Sequence, residues 1–219
     1  MWFDSTVSMQ HECAPLNLRV ELEEHGYVLL REAGAGGLVR AIEELGRVLQ
    51  VEEVVVSSES ASLVRSERGL SLHTDHHRAE VIVWHCIAQS NAGGETILTD
   101  ALAALSTLTP SEQAALSRIE LKEHSVFRDD DERHPMLSFR HGRPRVCYSY
   151  WMATELGEAE RAAFDAFARA VEHAPRITLR LAPGDVLAID SCKMLHGRLP
   201  IDGSKERHLR RYWLEAAPA

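Results

Sequence analysis

The arrangement of short apolar segments along the chain limits which folds are available to it. Runs rich in Val, Ile and aromatic residues at 27–30, 51–56 and 80–88 indicate strands, the last of them covered on both faces. Three more strands are predicted at 176–181, 186–189 and 207–214, with a turn at Pro183-Gly184 between the first two. A doubly wound sheet needs strands and helices in regular alternation, which this pattern lacks. The sequence therefore favours a mainly β fold, a jelly-roll sandwich with flanking helices.

Helices are predicted where apolar residues recur every three or four positions. The first covers 16–25 and ends at Gly26, and the second follows a glycine-rich turn at 34–37 and runs to about residue 50. Further helices are expected over 100–108, 110–119 and 155–174. A strand is predicted over 145–151, whereas the polar stretch 57–69 and the charged stretch 127–145 are predicted to be loops. The loop at 57–69 directly precedes the residues discussed next and is expected to fold over them.

Composition restricts the class of protein and its partners. The 219 residues suit a single domain over 1–219, and 45% hydrophobic with 26% charged residues is ordinary for a globular protein. The formal net charge of -9 lacks the basic excess typical of nucleic-acid binding, so a small-molecule substrate is expected and no nucleic acid. With neither a secretory signal nor an apolar run of membrane-spanning length, we expect a cytoplasmic protein without membrane contact. The 4 cysteines form no C-x-x-C pair and are interpreted as reduced thiols.

Two distant segments contain a possible set of metal ligands. In an extended strand, residues i and i+2 point to the same side, so His73 and Asp75 can reach one metal ion, with His196 as the third ligand. A His-x-Asp motif alone recurs by chance, and this chain has 12 histidines. Two imidazoles and a carboxylate suit a non-haem Fe(II) site with open positions. The same ligands would also serve a zinc hydrolase with a metal-bound water, or a non-catalytic cupin-like binding protein.

The order of four motifs makes the interpretation more specific. They are His73-Thr74-Asp75, Gly93-Gly94-Glu95-Thr96, Pro183-Gly184-Asp185-Val186-Leu187 and His196-Gly197-Arg198 followed by Arg207. In these motifs the chain resembles the Fe(II)/2-oxoglutarate-dependent dioxygenases of the taurine dioxygenase and clavaminate synthase-like superfamily. The resemblance implies a double-stranded β-helix, cupin-like in shape, that uses Fe(II), 2-oxoglutarate and O2. It also implies that Asp75 argues against halogenation, because related halogenases have a small residue at this position.

The resemblance also implies roles for residues near the C-terminal end. Arg207 stands eleven residues after His196 and, with Thr96, matches the ligands of 2-oxoglutarate. Arg211, fifteen residues after His196, matches a residue that grips an anionic substrate. Arg210 competes with both, but on a strand Arg207 and Arg211 share one face while Arg210 points away.

Other residues close to the first motif are weaker candidates. His76 and Arg78 follow the metal motif and are candidate substrate contacts. His85 lies in the middle of a predicted strand and is interpreted as a hydrogen-bonded core histidine.

The resemblance implies hydroxylation of an aliphatic C-H bond in a small amino-acid-like or anionic metabolite, with 2-oxoglutarate decarboxylated to succinate. Desaturation and cyclisation use the same ligands and stay open as alternatives. Two departures from the family are the Asp190-Ser191 pair, where Asn often follows the aspartate, and a chain shorter than many relatives. A reduced active-site cover would suit either a carrier-bound substrate or a homo-oligomer in which a second subunit supplies the lid.

Overall fold

The computed structural model describes residues 16–57, 60, 62–121, 127, 133–140, 142–149, 151, 156–204 and 206–218. The helices in chain order are α1 (Leu18–His25), α2 (Gly34–Leu45), α3 (Ala101–Ser106), α4 (Pro110–Leu116) and α5 (Glu158–His173), with a 3-10 helix at Leu63–Arg65. The strands are β1 (Tyr27–Leu30), β2 (Gly46–Val55), β3 (Leu70–His73), β4 (Val81–Ala88), β5 (Thr96–Asp100), β6 (Glu120–Leu121), β7 (His134–Pro135), β8 (Leu137–Arg140), β9 (Arg143–Val146), β10 (Ile177–Leu179), β11 (Val186–Asp190), β12 (Met194–Arg198) and β13 (His208–Ala216). Within these described ranges, no helix is both long and apolar enough to cross a membrane.

Two antiparallel sheets form the body of the fold. The first has the order β1-β11-β4-β13-β2 and the second the order β10-β5-β12-β3. Side chains from both sheets, among them Ile82, Leu98 and Leu187, meet in one buried apolar cluster. This arrangement confirms the predicted mainly β fold of the double-stranded β-helix type.

Helices cover the outer faces of both sheets. Because strand side chains alternate in direction, Val81 and Val83 of β4 pack with α1 and α2, while Ile82 and Trp84 point between the sheets. The prediction that this strand is covered on both faces is therefore correct. On the second sheet, α3, α4 and α5 cover residues such as Leu195.

The boundary between α2 and β2 differs from the sequence-based prediction. The helix was expected to reach residue 50, but it ends at Leu45 and β2 begins at Gly46. Residues 46–50 pair with β13, and a Cβ atom at Gly46 would lie 2.1 Å from the Glu215 carbonyl oxygen. Backbone pairing with a distant strand therefore overrides the local helical pattern.

The charged stretch 127–145 contains more regular structure than expected. It includes β7 and the hairpin formed by β8 with β9, whereas residues 128–132 lie outside the described residues. The strand predicted over 145–151 ends at Val146. After that point the Tyr148 N–H donates to Thr74 Oγ1 at 2.9 Å, and its carbonyl accepts from the Thr74 N–H at 2.7 Å. Beyond Val146, these hydrogen bonds to the metal motif replace further pairing with β8.

Three short strands of the second sheet, β3, β5 and β12, were not predicted from the periodicity, and their pairing fixes the register of this sheet. In this sheet β12 lies between β5 and β3, so that His196 faces His73 on one side and Leu98 on the other. The next residue, Gly197, has no room for a side chain. An added Cβ would lie 2.6 Å from the Leu70 carbonyl oxygen and 3.0 Å from an Ile97 side-chain carbon.

We therefore expect Gly197→Ala to push β12 away from β3 and lower the free energy of unfolding by about 1–3 kcal/mol, as overpacking does in other cores. Urea denaturation of the metal-free protein measures this change. Gly36→Ala is the control, because nothing lies within 4 Å of an added Cβ there and alanine favours the surrounding helix. Equal urea midpoints for Gly197→Ala and the wild type would show that the close approach is not a constraint.

Candidate active site

The three predicted metal ligands converge at one point between the sheets. The Nε2 atoms of His73 and His196 each lie 3.7 Å from Oδ1 of Asp75. One potential ligand atom from each of the three residues lies within 4.8 Å of the other two. His73 is the last residue of β3, so Asp75 lies beyond the strand end and not within the strand as the i and i+2 argument assumed. The hydrogen bonds between Thr74 and Tyr148 hold this short connection in place.

The protonation states of these residues suit a divalent cation. The His73 Nδ1 lies 2.8 Å from the Ser71 carbonyl, an acceptor only, so Nδ1 donates this hydrogen bond and Nε2 is left to face Asp75. Burial and the neighbouring His73 lower the pKa of His196 to about 3, which leaves the imidazole neutral near pH 7. Burial opposes ionisation of Asp75, but the neighbouring Arg211 guanidinium holds the pKa of this carboxyl well below its usual range. A neutral imidazole and an ionised carboxylate are the forms in which His196 and Asp75 bind a metal ion.

Asp75 is surrounded by hydrogen-bond donors from β13. Arg211 Nη1 lies 2.9 Å from Oδ1 and 2.7 Å from Oδ2, and Trp213 Nε1 donates to Oδ2 at 2.9 Å. The other terminal nitrogen of Arg211 donates to Glu52, which lies opposite it on β2. The guanidinium group therefore lies between two carboxylates, one of them a predicted metal ligand.

A small cavity next to His196 contains a second buried cation. Arg207 is 4% exposed and its Nε has no hydrogen-bond partner among the described residues. Burial and the neighbouring Arg198 lower the pKa of Arg207 to about 9. A buried cation without a counter-charge is costly, so this cavity suits an anionic group. The residues that line it are Val54, Val64, Leu70, Trp84, Thr96, His196, Gly197, Arg198, Arg207, Leu209 and Arg211.

The glycine pair before β5 allows this cavity to form. Gly94 has a positive φ of 77°, and a Cβ there would lie 3.3 Å from the Arg207 side chain. Thr96, two residues later, is buried and lies opposite Arg198 in the pairing of β5 with β12. The two predicted 2-oxoglutarate ligands, Thr96 and Arg207, thus line the same cavity as the predicted ligand His196.

Arg198 closes one wall of the cavity, a function that motif analysis did not assign to it. Its side chain donates to the carbonyls of Val64 at 2.8 Å, Ser66 at 2.5 Å and Arg68 at 2.7 Å. Val64 in turn lines the cavity. The described part of the predicted loop 57–69 therefore packs against the site, and a buried arginine anchors it through backbone carbonyls.

The remaining candidate residues lie in different surroundings. Arg210 points to the opposite face of β13, as predicted, and pairs with Glu53 at 2.5 Å. His76 is buried with its ring 5.9 Å from that of Trp213, whereas the exposed Arg78 has its guanidinium 4.4 Å from the Phe127 ring. His85 was predicted to be a hydrogen-bonded core residue, but it is half-buried and its Nδ1 has no hydrogen-bond partner in the described ranges.

Sequence reasoning missed three further residues at the site. Trp213 and Glu52 contact the pair of Asp75 with Arg211, and Trp84 packs edge-on against His196 with ring centroids 5.0 Å apart. Trp213 lies two residues after Arg211 on one strand, so strand alternation places it on the same face. That spacing was the available signal. Glu52 and Trp84 reach the site only through strand pairing.

Comparison with known proteins agrees with this site. Residues 17–213 match the family model described as Taurine catabolism dioxygenase TauD, TfdA family. Because the match spans nearly the whole chain, the protein belongs to this family. It is an iron- and 2-oxoglutarate-dependent dioxygenase, which makes the zinc hydrolase and the binding protein unnecessary as explanations of the ligand set.

The chain is also similar in sequence to an individual protein. It is 27% identical to a uridine-5'-phosphate dioxygenase of Amycolatopsis sp over 262 aligned positions, covering 98% of this chain and 94% of the relative. Since 262 positions exceed the 219 residues of this chain, the relative has segments that this chain lacks.

Solved structures share the fold at lower identity. An asparagine oxygenase complex superposes with a TM-score of 0.70 at 17% identity, covering 90% of this chain and 77% of that one. PvcB from Pseudomonas aeruginosa gives a TM-score of 0.65 at 23% identity, covering 90% and 78%. OrfP bound to Fe, succinate and (3S)-hydroxy-L-Arg gives 0.69 at 18%, with the same coverage.

Arg211→Met tests the charge balance around Asp75. The change leaves the buried carboxylate without its counter-charge, so we expect the metal-free protein to lose about 3–5 kcal/mol of stability, as when one partner of a buried ion pair is removed. Mn(II) should restore part of this loss by supplying positive charge at the same carboxylate. Thermal unfolding with and without Mn(II) measures both effects. Arg210→Met, one position away on the exposed face, should unfold like the wild type, and similar behaviour of the two variants would refute the assigned charge balance.

Proposed function

We propose that this dioxygenase hydroxylates an aliphatic C-H bond of a small anionic or amino-acid-like metabolite, while 2-oxoglutarate is converted to succinate and CO2. The observation that carries the proposal is the buried Arg207, which no carboxylate contacts among the described residues, in a cavity that His196 also lines. A metal site and an anion site that share one cavity are what a chelating 2-oxo dicarboxylate requires.

In this proposal His73, Asp75 and His196 hold Fe(II), and the lowered pKa values of Asp75 and His196 favour their ligating forms. Bound Fe(II) supplies the activation of O2 that is coupled to oxidative decarboxylation of the co-substrate. A facial set of three protein ligands leaves the other positions open for the co-substrate and O2. Trp84 packs against His196 and, together with Leu209, gives the cavity apolar walls that exclude water from the reacting groups.

Arg207 and Thr96 are the proposed ligands of the far carboxylate of 2-oxoglutarate. A guanidinium group can pair with a carboxylate through two parallel hydrogen bonds, and the Thr96 hydroxyl can donate a third. The carboxylate would compensate the buried charge of Arg207, whose pKa is depressed by burial and by Arg198. Arg198 itself is occupied by the carbonyls of the segment 63–68 and therefore shapes the cavity more than it binds the anion.

Support for the substrate class comes from the relatives. The relative with a similar sequence is named for uridine-5'-phosphate, and the structures of asparagine oxygenase and OrfP contain hydroxylated asparagine and arginine with succinate. We propose His76 and Arg78 as substrate contacts because they lie one and three residues after Asp75. Arg211, predicted to grip an anionic substrate, has its terminal nitrogens on Asp75 and Glu52, so we place the anionic group of the substrate at Arg78 first.

The co-substrate assignment is tested by anaerobic titration with Fe(II) and then 2-oxoglutarate, monitored by the weak visible charge-transfer band of a chelated 2-oxo acid. We expect the band in the wild type and none in His196→Ala. Arg207→Met should need about 100-fold more 2-oxoglutarate, in line with the loss of one partner from a buried charge pair. Arg210→Met provides the matched control and should titrate like the wild type. Fe(II) binding without any band would overturn the assignment.

The substrate class is tested by adding uridine-5'-phosphate, asparagine and arginine separately to the Fe(II)-loaded enzyme with 2-oxoglutarate and O2. We expect succinate formation to rise with the true substrate and to be absent in His196→Ala. Mass spectrometry of the product separates the alternatives, because hydroxylation adds one oxygen atom whereas desaturation or cyclisation removes two hydrogens. If only asparagine and arginine stimulate succinate formation, the proposed substrate class becomes an amino-acid-like metabolite instead of an anionic one.

A further inference from the structure

We propose that Trp213 is a positioning residue of the metal centre, whose indole N–H holds one oxygen of Asp75 so that only the other oxygen faces the metal. The inference rests on the proposed function, since it assumes that His73, Asp75 and His196 bind iron. It assigns to Trp213 a function that the ligand motif itself does not contain.

The two oxygens of Asp75 have different surroundings. Oδ1 lies 3.7 Å from the Nε2 atoms of His73 and His196, on the side where a shared metal ion would sit. Oδ2 receives the Trp213 hydrogen bond at 2.9 Å and a bond from Arg211 at 2.7 Å. A carboxylate that is anchored through one oxygen can offer the other as a single ligand. This matters because a second oxygen on the metal would take one of the positions that the co-substrate and O2 need.

Arg211 cannot make this distinction by itself. Its Nη1 is within hydrogen-bond distance of both oxygens, at 2.9 and 2.7 Å, so it stabilises the carboxylate charge without selecting either one. The indole nitrogen of Trp213, by contrast, donates to Oδ2 alone. An indole N–H is also neutral and can only donate, so it orients the carboxylate without adding positive charge beside a divalent cation.

The packing of Trp213 holds the indole in one orientation. The side chain is 7% exposed and belongs to the apolar cluster between the sheets. The His76 ring stacks on it with an interplanar angle of 22°, and the Arg211 guanidinium lies 5.2 Å from its centroid. The ladder between β13 and β2 shifts register directly after Trp213. Such irregularities next to active sites often redirect a side chain.

The test compares Trp213→Phe with Tyr212→Phe. The first variant keeps an aromatic ring between His76 and Arg211 but removes the N–H donor. Tyr212 is the next residue on β13 and is also buried, but it packs in the outer cluster with α1 and α2, so its variant loses a polar group on the face away from the metal. Affinity for Mn(II) is measured by calorimetry on the purified protein, and the absorption spectrum of the Co(II)-loaded protein reports the geometry of the site.

We expect Trp213→Phe to bind Mn(II) about 10–100-fold more weakly, the usual effect of removing an outer hydrogen bond to a metal ligand. The Co(II) spectrum should change as well, since the remaining Arg211 bonds to both oxygens allow the carboxylate to rotate. Tyr212→Phe should match the wild type in both measurements. Wild-type affinity and an unchanged Co(II) spectrum in Trp213→Phe would overturn the inference. A wild type that does not bind Mn(II), or that binds it no better than His196→Ala, would instead overturn the proposed function.

A second measurement covers the case in which Trp213→Phe does not fold. In the 15N-labelled wild type loaded with Zn(II), the Trp213 indole proton should exchange with solvent much more slowly than that of Trp151, which is 41% exposed. The chain has 4 tryptophans, so the indole signals are assigned with Trp2→Phe, Trp84→Phe and Trp151→Phe, which leaves the signal of Trp213. Exchange of the Trp213 proton as fast as that of Trp151 would show that the hydrogen bond to Asp75 does not persist when the metal is bound.

Discussion

The pairing of β12 between β3 and β5 is the interaction on which the rest of the site depends. It places His196 opposite His73, although 122 residues separate them along the chain. Gly197 permits this pairing because its position leaves no space for a Cβ against the Leu70 carbonyl. A register shift of one residue would turn His196 to the other face of the sheet and separate it from His73 and Asp75.

Buried charge is distributed unequally between the two halves of the site. Around Asp75 the charges are balanced, since Arg211 lies between this carboxylate and Glu52. Around Arg207 they are not, because Arg198 is the charged neighbour that lowers its pKa and no carboxylate contacts it among the described residues. Charges of this kind are tolerated where a ligand supplies the missing partner. In the proposed function, the unbalanced half binds the co-substrate anion and the balanced half binds the metal.

The outer support of the site comes mainly from one strand. β13 contributes Arg211 and Trp213 to Asp75, and the cavity residue Arg207 immediately precedes it. The same strand pairs with β2, which supplies Glu52, and with β4, which supplies Trp84 opposite Arg211. A single central strand thus links Asp75, its hydrogen-bond partners and the cavity around Arg207, so small shifts of β13 affect all three.

The sequence by itself determined three things. The motifs identified the ligand candidates, and the short apolar segments indicated the mainly β class. Strand alternation separated Arg207 and Arg211 from Arg210, because it depends only on local geometry. Tertiary structure decided that α2 ends at Leu45, that Asp75 lies beyond β3, and that Arg211 binds Asp75 and Glu52. It also brought Trp213, Glu52 and Trp84 to the site. These outcomes follow from pairing between strands far apart in the chain, and the energy of such pairing depends on partners that no local window of sequence contains.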